Sequence, residues 1–352
     1  MNAFVYNAYA ARVVFGAGSL KHLEREIDAL GYQRALVLST PEQRESAERV
    51  AGLLGPRAAG VFARAVMHVP IETAREAREE ARRLGADCAV AIGGGSTTGL
   101  GKAIALESGL PIIAIPTTYA GSEMTPVYGI TEGGIKKTGK DAKVVPRAVI
   151  YDPELTLSLP AGMSLSSGIN AIAHSAEGLY ASDRNPVIDF MATDGIAALG
   201  RALPAICRNP GDLAARSDAF YGAWLCGIVM GSVGMALHHK LCHTLGGTFN
   251  LPHAECHTVV LPHALAYNAA AAPQAMDRIA CALAGSSGPA AVYDLARNNG
   301  AVVSLRDLGM RQTDLDRACD IAVHNQYPNP CPLDRAALRQ LLQDAWEGIR
   351  PD

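Results

Sequence analysis

Short apolar runs alternate with longer amphipathic segments over roughly the first 150 residues of the chain. The apolar runs predict five buried strands, at Ala11–Phe15, Arg34–Thr40, Val61–Val66, Cys88–Ile92 and Pro111–Ile115. The segments between them predict helices over Ser19–Leu30, Glu42–Leu54 and Ile71–Leu84, and a further helix between the last two strands. Because strands that alternate with helices form parallel sheets covered on both faces, this part is expected to be an α/β domain.

The pattern changes near Asp152-Pro153, after which helical spacing continues and no series of strands follows. The most apolar stretch, Ala223–Leu237, is too short and too rich in glycine to cross a bilayer, and it predicts a buried helix. We therefore expect an α/β domain over residues 1–153 and an all-helical domain over residues 154–352.

The composition excludes several classes of protein. With 49% hydrophobic residues and a net charge of −3, the chain does not have the composition of a disordered protein. Its 31 basic and 34 acidic side chains leave no excess of positive charge for binding nucleic acid. A chain of 352 residues is also long enough that two domains are expected.

The cysteines and the N-terminal segment bear on the cellular compartment. The eight cysteines are scattered and form no CxxC pair, which argues against a zinc knuckle or a thioredoxin-like motif. The opening residues lack a basic region followed by an apolar one, so no signal peptide is predicted. We expect a cytoplasmic protein with reduced thiols and without a membrane partner.

A glycine loop follows the predicted strand Cys88–Ile92 and opens the next helix, at Gly93, Gly94, Gly95 and Ser96. Glycine allows a ligand to approach the backbone closely, and the N–H groups at a helix start suit a pyrophosphate. A second loop, with Thr117, Thr118 and Ser122, follows the strand Pro111–Ile115. Both loops would lie at the carboxyl edge of a parallel sheet, where ligands bind. A glycine run alone is also typical of a tight turn, and this one is not a GxGxxG motif.

Six of the ten histidines lie between Leu237 and His263. His239 and His243 are four residues apart, as are Asn170 and His174, so each pair projects from one face of a helix. This pattern fits a metal site, a proton-transfer pair or a packed polar face. For three further histidines, a packing role is the simpler interpretation: His238, His257 and His263.

Together these segments resemble the iron-containing (group III) alcohol dehydrogenase superfamily. The resemblance rests on GGGS at Gly93–Ser96, on PTT…GSE at Pro116–Glu123, and on the H-x3-H-x9-H spacing from His239 to His253. It implies a dehydroquinate synthase-like fold with a Rossmann-like NAD(P)-binding domain, an all-helical domain and a substrate cleft between them. The positions that it implies for the cofactor are Ser39, Thr40, Gly93, Gly94, Gly95, Ser96, Thr117, Thr118 and Ser122.

The similarity is closer to one branch of this superfamily, whose members reduce the C=C bond of maleylacetate to give 3-oxoadipate in bacterial degradation of aromatic compounds. It is carried by FVYNAYAARVVFGAGSL at the start, GGGSTTGLGKAIAL, YAGSEMTPVYGIT and QYPNP at Gln326–Pro330. This branch implies an NADH-dependent reductase of a small dicarboxylate, and a homodimer.

Three positions depart from the wider family. Family enzymes hold iron with one Asp and three His, and the matching positions here are Asn170, His174, His239 and His253. An amide is a weaker ligand for a divalent cation than a carboxylate, so no tightly bound metal is expected. Gly99 stands where the wider family usually has Asp. Thr40 stands where many NAD-specific relatives carry an Asp that repels a 2′-phosphate, so NADPH is expected to be tolerated beside NADH.

The resemblance also implies roles for the polar residues. Hydride addition to maleylacetate creates an enolate, and we expect His243 and His253 to stabilise it and return a proton. The same pocket would be shaped by Asn170, His174 and His239. Lys143 matches a family lysine near the cofactor, with a surface charge as an equal alternative, and Tyr327 is a further contact or a core phenol.

Two other functions remain open. The first is a metal-dependent alcohol, glycerol or lactaldehyde dehydrogenase of the same fold, for which a carboxylate at position 170 would be expected. The second is a non-catalytic nucleotide-binding or metal-sensing protein, in which the change to Asn170 would mark a lost activity.

Overall fold

The structure is a computed structural model that describes residues 4–9, 12–133, 135–324 and 327–352. It divides into two compact units, the first over Ala8–Leu159 and the second over Pro160–Asp352 together with residues 4–7.

The first unit is built on a parallel sheet. Among its described residues the strands are β1 (Arg12–Phe15), β2 (Ala35–Leu38), β3 (Ala58–Phe62), β4 (Cys88–Gly93), β5 (Ile112–Pro116), β6 (Val127–Glu132), β7 (Ile135–Lys140) and β8 (Ala148–Tyr151). Six of them form one sheet in the order β1-β8-β5-β4-β2-β3, and β6 pairs antiparallel with β7. Strands β2, β4, β5 and β8 are buried at every position, as in sheets covered on both faces.

Helices cover both faces of this sheet. They are α1 (Leu23–Ala29), α2 (Arg44–Leu54), α3 (Ile71–Arg83) and α4 (Gly95–Ser108). Successive residues of β2 point to opposite sides, so that Leu36 packs in a core with α3 and α4 while Val37 packs in a second core with α1 and α2. The alternating pattern in the sequence therefore produced a sheet with two separate apolar cores.

Several predicted boundaries differ from the structure. The prediction Val61–Val66 was wrong, because β3 pairs with β2 from Ala58 and leaves that pairing after Phe62, where β2 also ends. Strand β8 and the β6–β7 hairpin were not predicted. Of the first predicted strand, Ala11 lies outside the described residues, and Arg12–Phe15 form β1.

The second unit is helical throughout its described part. Its helices are α5 (Ala161–Gly178), α6 (Pro186–Arg208), α7 (Leu213–Ser232), α8 (Leu237–Phe249), α9 (His253–Asn268), α10 (Pro273–Ala282), α11 (Gly288–Asn298), α12 (Leu315–His324) and α13 (Arg335–Glu347). Helices α5, α6 and α7 pack against one another, and a large apolar core joins α8, α9, α12 and α13.

The predicted buried helix over Ala223–Leu237 is confirmed as far as Ser232 and was wrong beyond that residue. Helix α7 ends at Ser232, and α8 begins at Leu237 after a bend of 96° between the two. Apolar periodicity does not register such a bend, because the residues on either side of it are also buried.

Helix α6 is long and apolar enough to cross a membrane, and α7 with α8 would be a second candidate if the bent pair were one segment. Core helices of water-soluble proteins have the same length and composition, and α6 packs along α5 and α7. This finding is therefore weak evidence for a membrane span.

Candidate active site

The two predicted loops of the first unit lie side by side at the carboxyl edge of the sheet. Gly93 and Pro116 are partners in the β4–β5 ladder, and the N–H of Thr117 donates to the carbonyl of Gly93 at 3.0 Å. Gly93 has a φ of +152°, and a Cβ there would lie 2.4 Å from Oγ1 of Thr97. A side chain at Gly94 would meet the methyl of Thr118 at 3.0 Å. Glycine is thus required where the strand passes into α4.

The strand order also reverses at this edge. From β2 the chain moves outward to β3 and then returns to the other side of β2 as β4. The ends of β2 and β4 therefore flank a topological switch point, the position where doubly wound sheets bind nucleotides. Gln43, which follows β2, donates from Nε2 to Oγ1 of Thr117 at 2.9 Å and so bridges this point. Gln43 was not predicted from the sequence, although it follows Pro41 shortly after the end of β2.

The remaining predicted cofactor positions differ in exposure. Ser39 is buried, and its hydroxyl donates to the carbonyl of Thr40 at 3.0 Å rather than facing outward. Thr40, Ser96 and Ser122 are partly exposed. Gly99 lies on α4, and a Cβ there would come within 2.9 Å of a methyl of Val69.

Lys102 is a buried residue of this unit that the sequence analysis did not single out. Its Nζ on α4 donates to the carbonyls of Ser122, Thr125 and Val127 at 2.6, 2.8 and 2.7 Å, and to Oγ1 of Thr125 at 2.9 Å. Burial lowers the pKa of Lys102 to about 7, against the opposite effect of nearby Glu123. Lys102 therefore ties the second loop to the helix that starts at the first.

In the second unit, three helices bring the predicted histidines together. Helix α5 carries Asn170 and His174, α8 carries His239 and His243, and α9 begins at His253. The rings of His174 and His239 are 5.2 Å apart, and those of His239 and His243 are 6.3 Å apart. His243 is exposed, whereas His174 and His239 are buried.

Several buried atoms of this cluster have no hydrogen-bond partner among the described residues. They are Oδ1 of Asn170, Nδ1 of His174, Nε2 of His239 and Nε2 of His257. Burial lowers the pKa of His174 well below its usual value, and the neighbouring His239 and His253 lower it further. The His174 ring is therefore neutral at pH 7.

Glu177, on α5, is the carboxylate of this cluster, and the sequence analysis missed it. It is fully buried, and its Oε2 accepts a hydrogen bond from Nδ1 of His239 at 2.7 Å. It lies three residues after His174 and seven after Asn170, which places all three on one face of α5. That N-x3-H-x2-E spacing was the available signal.

A second histidine pair, His238 and His257, lies in the same region and is fully buried. Nε2 of His238 and Nδ1 of His257 are hydrogen-bonded at 2.9 Å, and Sγ of Cys242 lies 3.7 Å from the former. This is the one set of three metal-capable side chains, among the described residues, whose donor atoms all lie within 4.8 Å of one another. A metal would displace the existing hydrogen bond between the two rings.

The four positions that match the family's iron ligands combine one amide with three imidazoles. Asn170 supplies an amide in place of a carboxylate, and an amide is a weaker ligand for a divalent cation. Asn170, His174 and His239 are buried, and Oδ1 of Asn170, Nδ1 of His174 and Nε2 of His239 have no hydrogen-bond partner among the described residues.

The two weaker candidates lie in different surroundings. Lys143 belongs to the first unit and is exposed, next to Asp141, whose Oδ1 accepts from its backbone N–H at 2.8 Å. Tyr327 packs against the core of the second unit, and burial raises the pKa of its phenol. Gln326 of the QYPNP segment lies outside the described residues.

Comparison with known sequences places these sites in a family. The profile described as "Iron-containing alcohol dehydrogenase" matches residues 10–153, and "Fe-containing alcohol dehydrogenase family, C-terminal" matches residues 164–346. The chain belongs to the iron-containing alcohol dehydrogenase family. The predicted family and the α/β-plus-helical fold class are thus confirmed.

Within the iron-containing alcohol dehydrogenase family, the chain is similar to proteins named maleylacetate reductase. It is 69% identical to that of Burkholderia cepacia over 351 residues and 58% identical to that of Pseudomonas sp. strain P51 over 348 residues, with at least 99% of each chain covered. The crystal structure of maleylacetate reductase from Agrobacterium tumefaciens superposes with a TM-score of 0.97 at 53% identity, covering 100% of both chains.

Proposed function

We propose that this protein reduces the C=C bond of maleylacetate with NADH to give 3-oxoadipate. The observation that carries the proposal is the buried cluster of imidazoles around Asn170, in a chain 69% identical over its full length to a maleylacetate reductase. The cluster supplies neutral hydrogen-bonding groups where a metal-dependent relative would place a carboxylate. That chemistry suits a reaction through an enolate.

The cofactor would bind in the first unit. The backbone N–H groups at the start of α4 suit the pyrophosphate, because a helix N-terminus carries partial positive charge. Gly93 and Gly94 have no side chains that would block the approach of the pyrophosphate. Beside them, the hydrogen bond from Gln43 to Thr117 joins the loop after β2 to the loop after β5 at the switch point. NADH supplies the hydride and leaves as NAD⁺.

The reacting carbons of the substrate would be held by the histidines of the second unit. Hydride adds to the carbon β to the ketone, the C=C electron pair moves toward the ketone oxygen, and an enolate forms. An enolate is less basic than the alkoxide formed from a simple ketone, so hydrogen-bond donors suffice to stabilise it. We assign this stabilisation and the return of a proton to carbon to His243 and His253, with the amide N–H of Asn170 as a further donor.

The substrate is a dianion, so cationic groups or hydrogen-bond donors are needed near its carboxylates. We propose Lys143 and Tyr327 for this role, and a homodimer as the working assembly.

We further propose that the reaction proceeds without a tightly bound metal. Asn170 presents an amide where a metal-dependent relative has a carboxylate, and an amide is a weaker ligand that compensates none of the charge of a divalent cation.

The decisive experiment follows NADH loss with maleylacetate before and after prolonged dialysis against EDTA. We expect unchanged turnover, with well under one equivalent of iron or zinc in the purified protein. Activity that disappears with EDTA and returns with a divalent metal would show that the proposal is wrong. A parallel assay with simple alcohols and NAD⁺ tests the alternative of a metal-dependent alcohol dehydrogenase.

A further inference from the structure

We infer that Glu177 is a positioning residue that fixes the tautomer and orientation of His239 and holds the first turn of α8. The kinetic part of this inference rests on the proposed function, and the structural part does not.

The Glu177 carboxylate accepts hydrogen bonds from several donors around the start of α8. Oε2 accepts from the backbone N–H of Ala236 at 2.9 Å and from Nδ1 of His239 at 2.7 Å. Oε1 accepts from the N–H of His238 at 2.8 Å and from the hydroxyl of Tyr180 at 3.3 Å. The side chain has no exposed surface, so every one of these contacts is shielded from water.

A carboxylate only accepts hydrogen bonds, and this decides where the proton on His239 lies. The Nδ1 atom must carry the hydrogen that it donates to Glu177, so a neutral ring has a bare Nε2. That Nε2 is buried and has no partner among the described residues, and His174 is the neighbouring ring. Glu177 therefore presents an acceptor, rather than an N–H, to the predicted pocket.

The same carboxylate also caps the start of α8, just after the bend between α7 and α8, by accepting hydrogen bonds from the N–H groups of Ala236 and His238. The first N–H groups of a helix have no partner within the helix, and their positive end attracts a negative charge. Because His239 and His243 both lie on α8, a shift of its first turn would move both rings.

Glu177→Gln tests this without changing the size of the side chain. A glutamine has one acceptor oxygen where the carboxylate has two. Its NH₂ group must therefore point at a group that now donates: either Nδ1 of His239 and the N–H of Ala236, or the N–H of His238. We expect the amide to turn His239 to the other tautomer and to lower kcat by about 10-fold or more, the usual effect of losing an outer partner of a site histidine. NADH affinity should stay within about twofold of wild type, because the proposed cofactor loops belong to the other unit.

Tyr180→Phe is the matched control. It removes the longest side-chain contact to the same carboxylate but leaves the charge and the backbone donors in place. We expect kcat within about twofold of wild type, as for substitutions that leave the main interactions intact.

A double-mutant cycle separates positioning of His239 from general support of the fold. If Glu177 acts through His239, then Glu177→Gln should cost little further in a His239→Gln background. Full additivity of the two losses in kcat would overturn the inference.

Nitrogen-15 NMR of histidine-labelled protein gives a readout that needs no substrate. Wild type should show His239, assigned by its absence in His239→Gln, with a protonated Nδ1. A bare Nδ1 in wild type overturns the inference, even if Glu177→Gln fails to fold. If Nδ1 is protonated but maleylacetate is not reduced, the positioning role stands and the proposed function fails.

Discussion

At the scale of single residues, the charge of the histidine cluster is set by which side chains carry a carboxylate and which carry an amide. Asn170 differs from the family's aspartate by one group, yet it changes the charge of a buried cluster that also holds His174 and His239. Glu177 restores a carboxylate to the cluster, but its oxygens already accept hydrogen bonds from α8. The negative charge of Glu177 therefore orients His239.

His243→Ala tests the proton donor. His243 is the exposed histidine of the pair on α8, so its removal should leave the folded core intact. We expect kcat to fall by about 10²-fold or more, which is typical of losing a general acid. The measurement is steady-state reduction of maleylacetate, with thermal unfolding as the check on folding. An unchanged kcat would move the proton donor elsewhere.

The threonine at position 40 predicts that NADPH is accepted beside NADH. No carboxylate stands at this position to repel the 2′-phosphate of NADPH. We expect kcat/KM for NADH to exceed that for NADPH by less than about a thousandfold, or about 4 kcal/mol. Parallel assays with the two cofactors check this, and Thr40→Asp should widen the preference for NADH. A wider gap already present in wild type would contradict the prediction.

Residues that share a helix or follow a strand could be found from sequence, and those whose role depends on a distant partner could not. His239 and His243 are recognisable by their spacing on one helix. Glu177 acts on α8 from about 60 residues away, and Lys102 bonds carbonyls about 20 residues on. Such carbonyls leave no mark in the sequence, because every residue has one.

At the scale of elements, the carboxyl edge of the sheet depends on how α4 is tied to the loop after β5. Lys102 provides the described tie, with its Nζ among three carbonyls and a hydroxyl. The sequence predicted both loops and their shared edge, because strand ends are visible as apolar runs. It did not predict the β6–β7 hairpin, because β6 is only partly buried apart from Ile130 and its apolar signal is weak.

Lys102→Met keeps the length of the side chain and removes its donors. Each buried carbonyl left without a partner costs about 1–3 kcal/mol, so we expect the free energy of unfolding to fall by at least about 2 kcal/mol. NADH binding should weaken as the loop loses its anchor. Urea denaturation and NADH titration measure the two effects. The matched control is Lys21→Met, at an exposed lysine of the same unit, which should change stability by less than about 0.5 kcal/mol.

At the scale of the whole molecule, the order of α/β and helical parts followed from the change of pattern near residue 152. The order of strands in the sheet could not be predicted from that pattern. Strand β1 pairs with β8, which lies more than a hundred residues later in the chain, and Arg12 is the partner of Ala148. Local periodicity contains no information on such pairing.

Buried neutral histidines predict a loss of stability in acid. Burial lowers the pKa of His263 from 6.5 to about 4, and it lowers those of His174, His238 and His257 well below their usual value. Between pH 6.5 and 4 the unfolded chain binds protons that the folded chain does not, so the free energy of unfolding falls as pH falls. For His263 alone the full loss is about 3 kcal/mol.

Urea denaturation at steps from pH 7 to pH 4.5 measures this slope. His263→Gln should make it shallower by roughly the contribution of one histidine. Equal slopes in wild type and His263→Gln would show that the histidine does not titrate on unfolding.

The close contact between Gly99 and Val69 has a consequence for the mutational paths open to this chain. Introducing an aspartate at Gly99 alone would set its Cβ 2.9 Å from a valine methyl, so that intermediate is strained. If Val69→Ala comes first, the methyl is gone and Gly99→Asp is accommodated. The two substitutions are therefore epistatic: an aspartate at position 99 of this helix is accommodated when Val69→Ala precedes it and strained when it comes first.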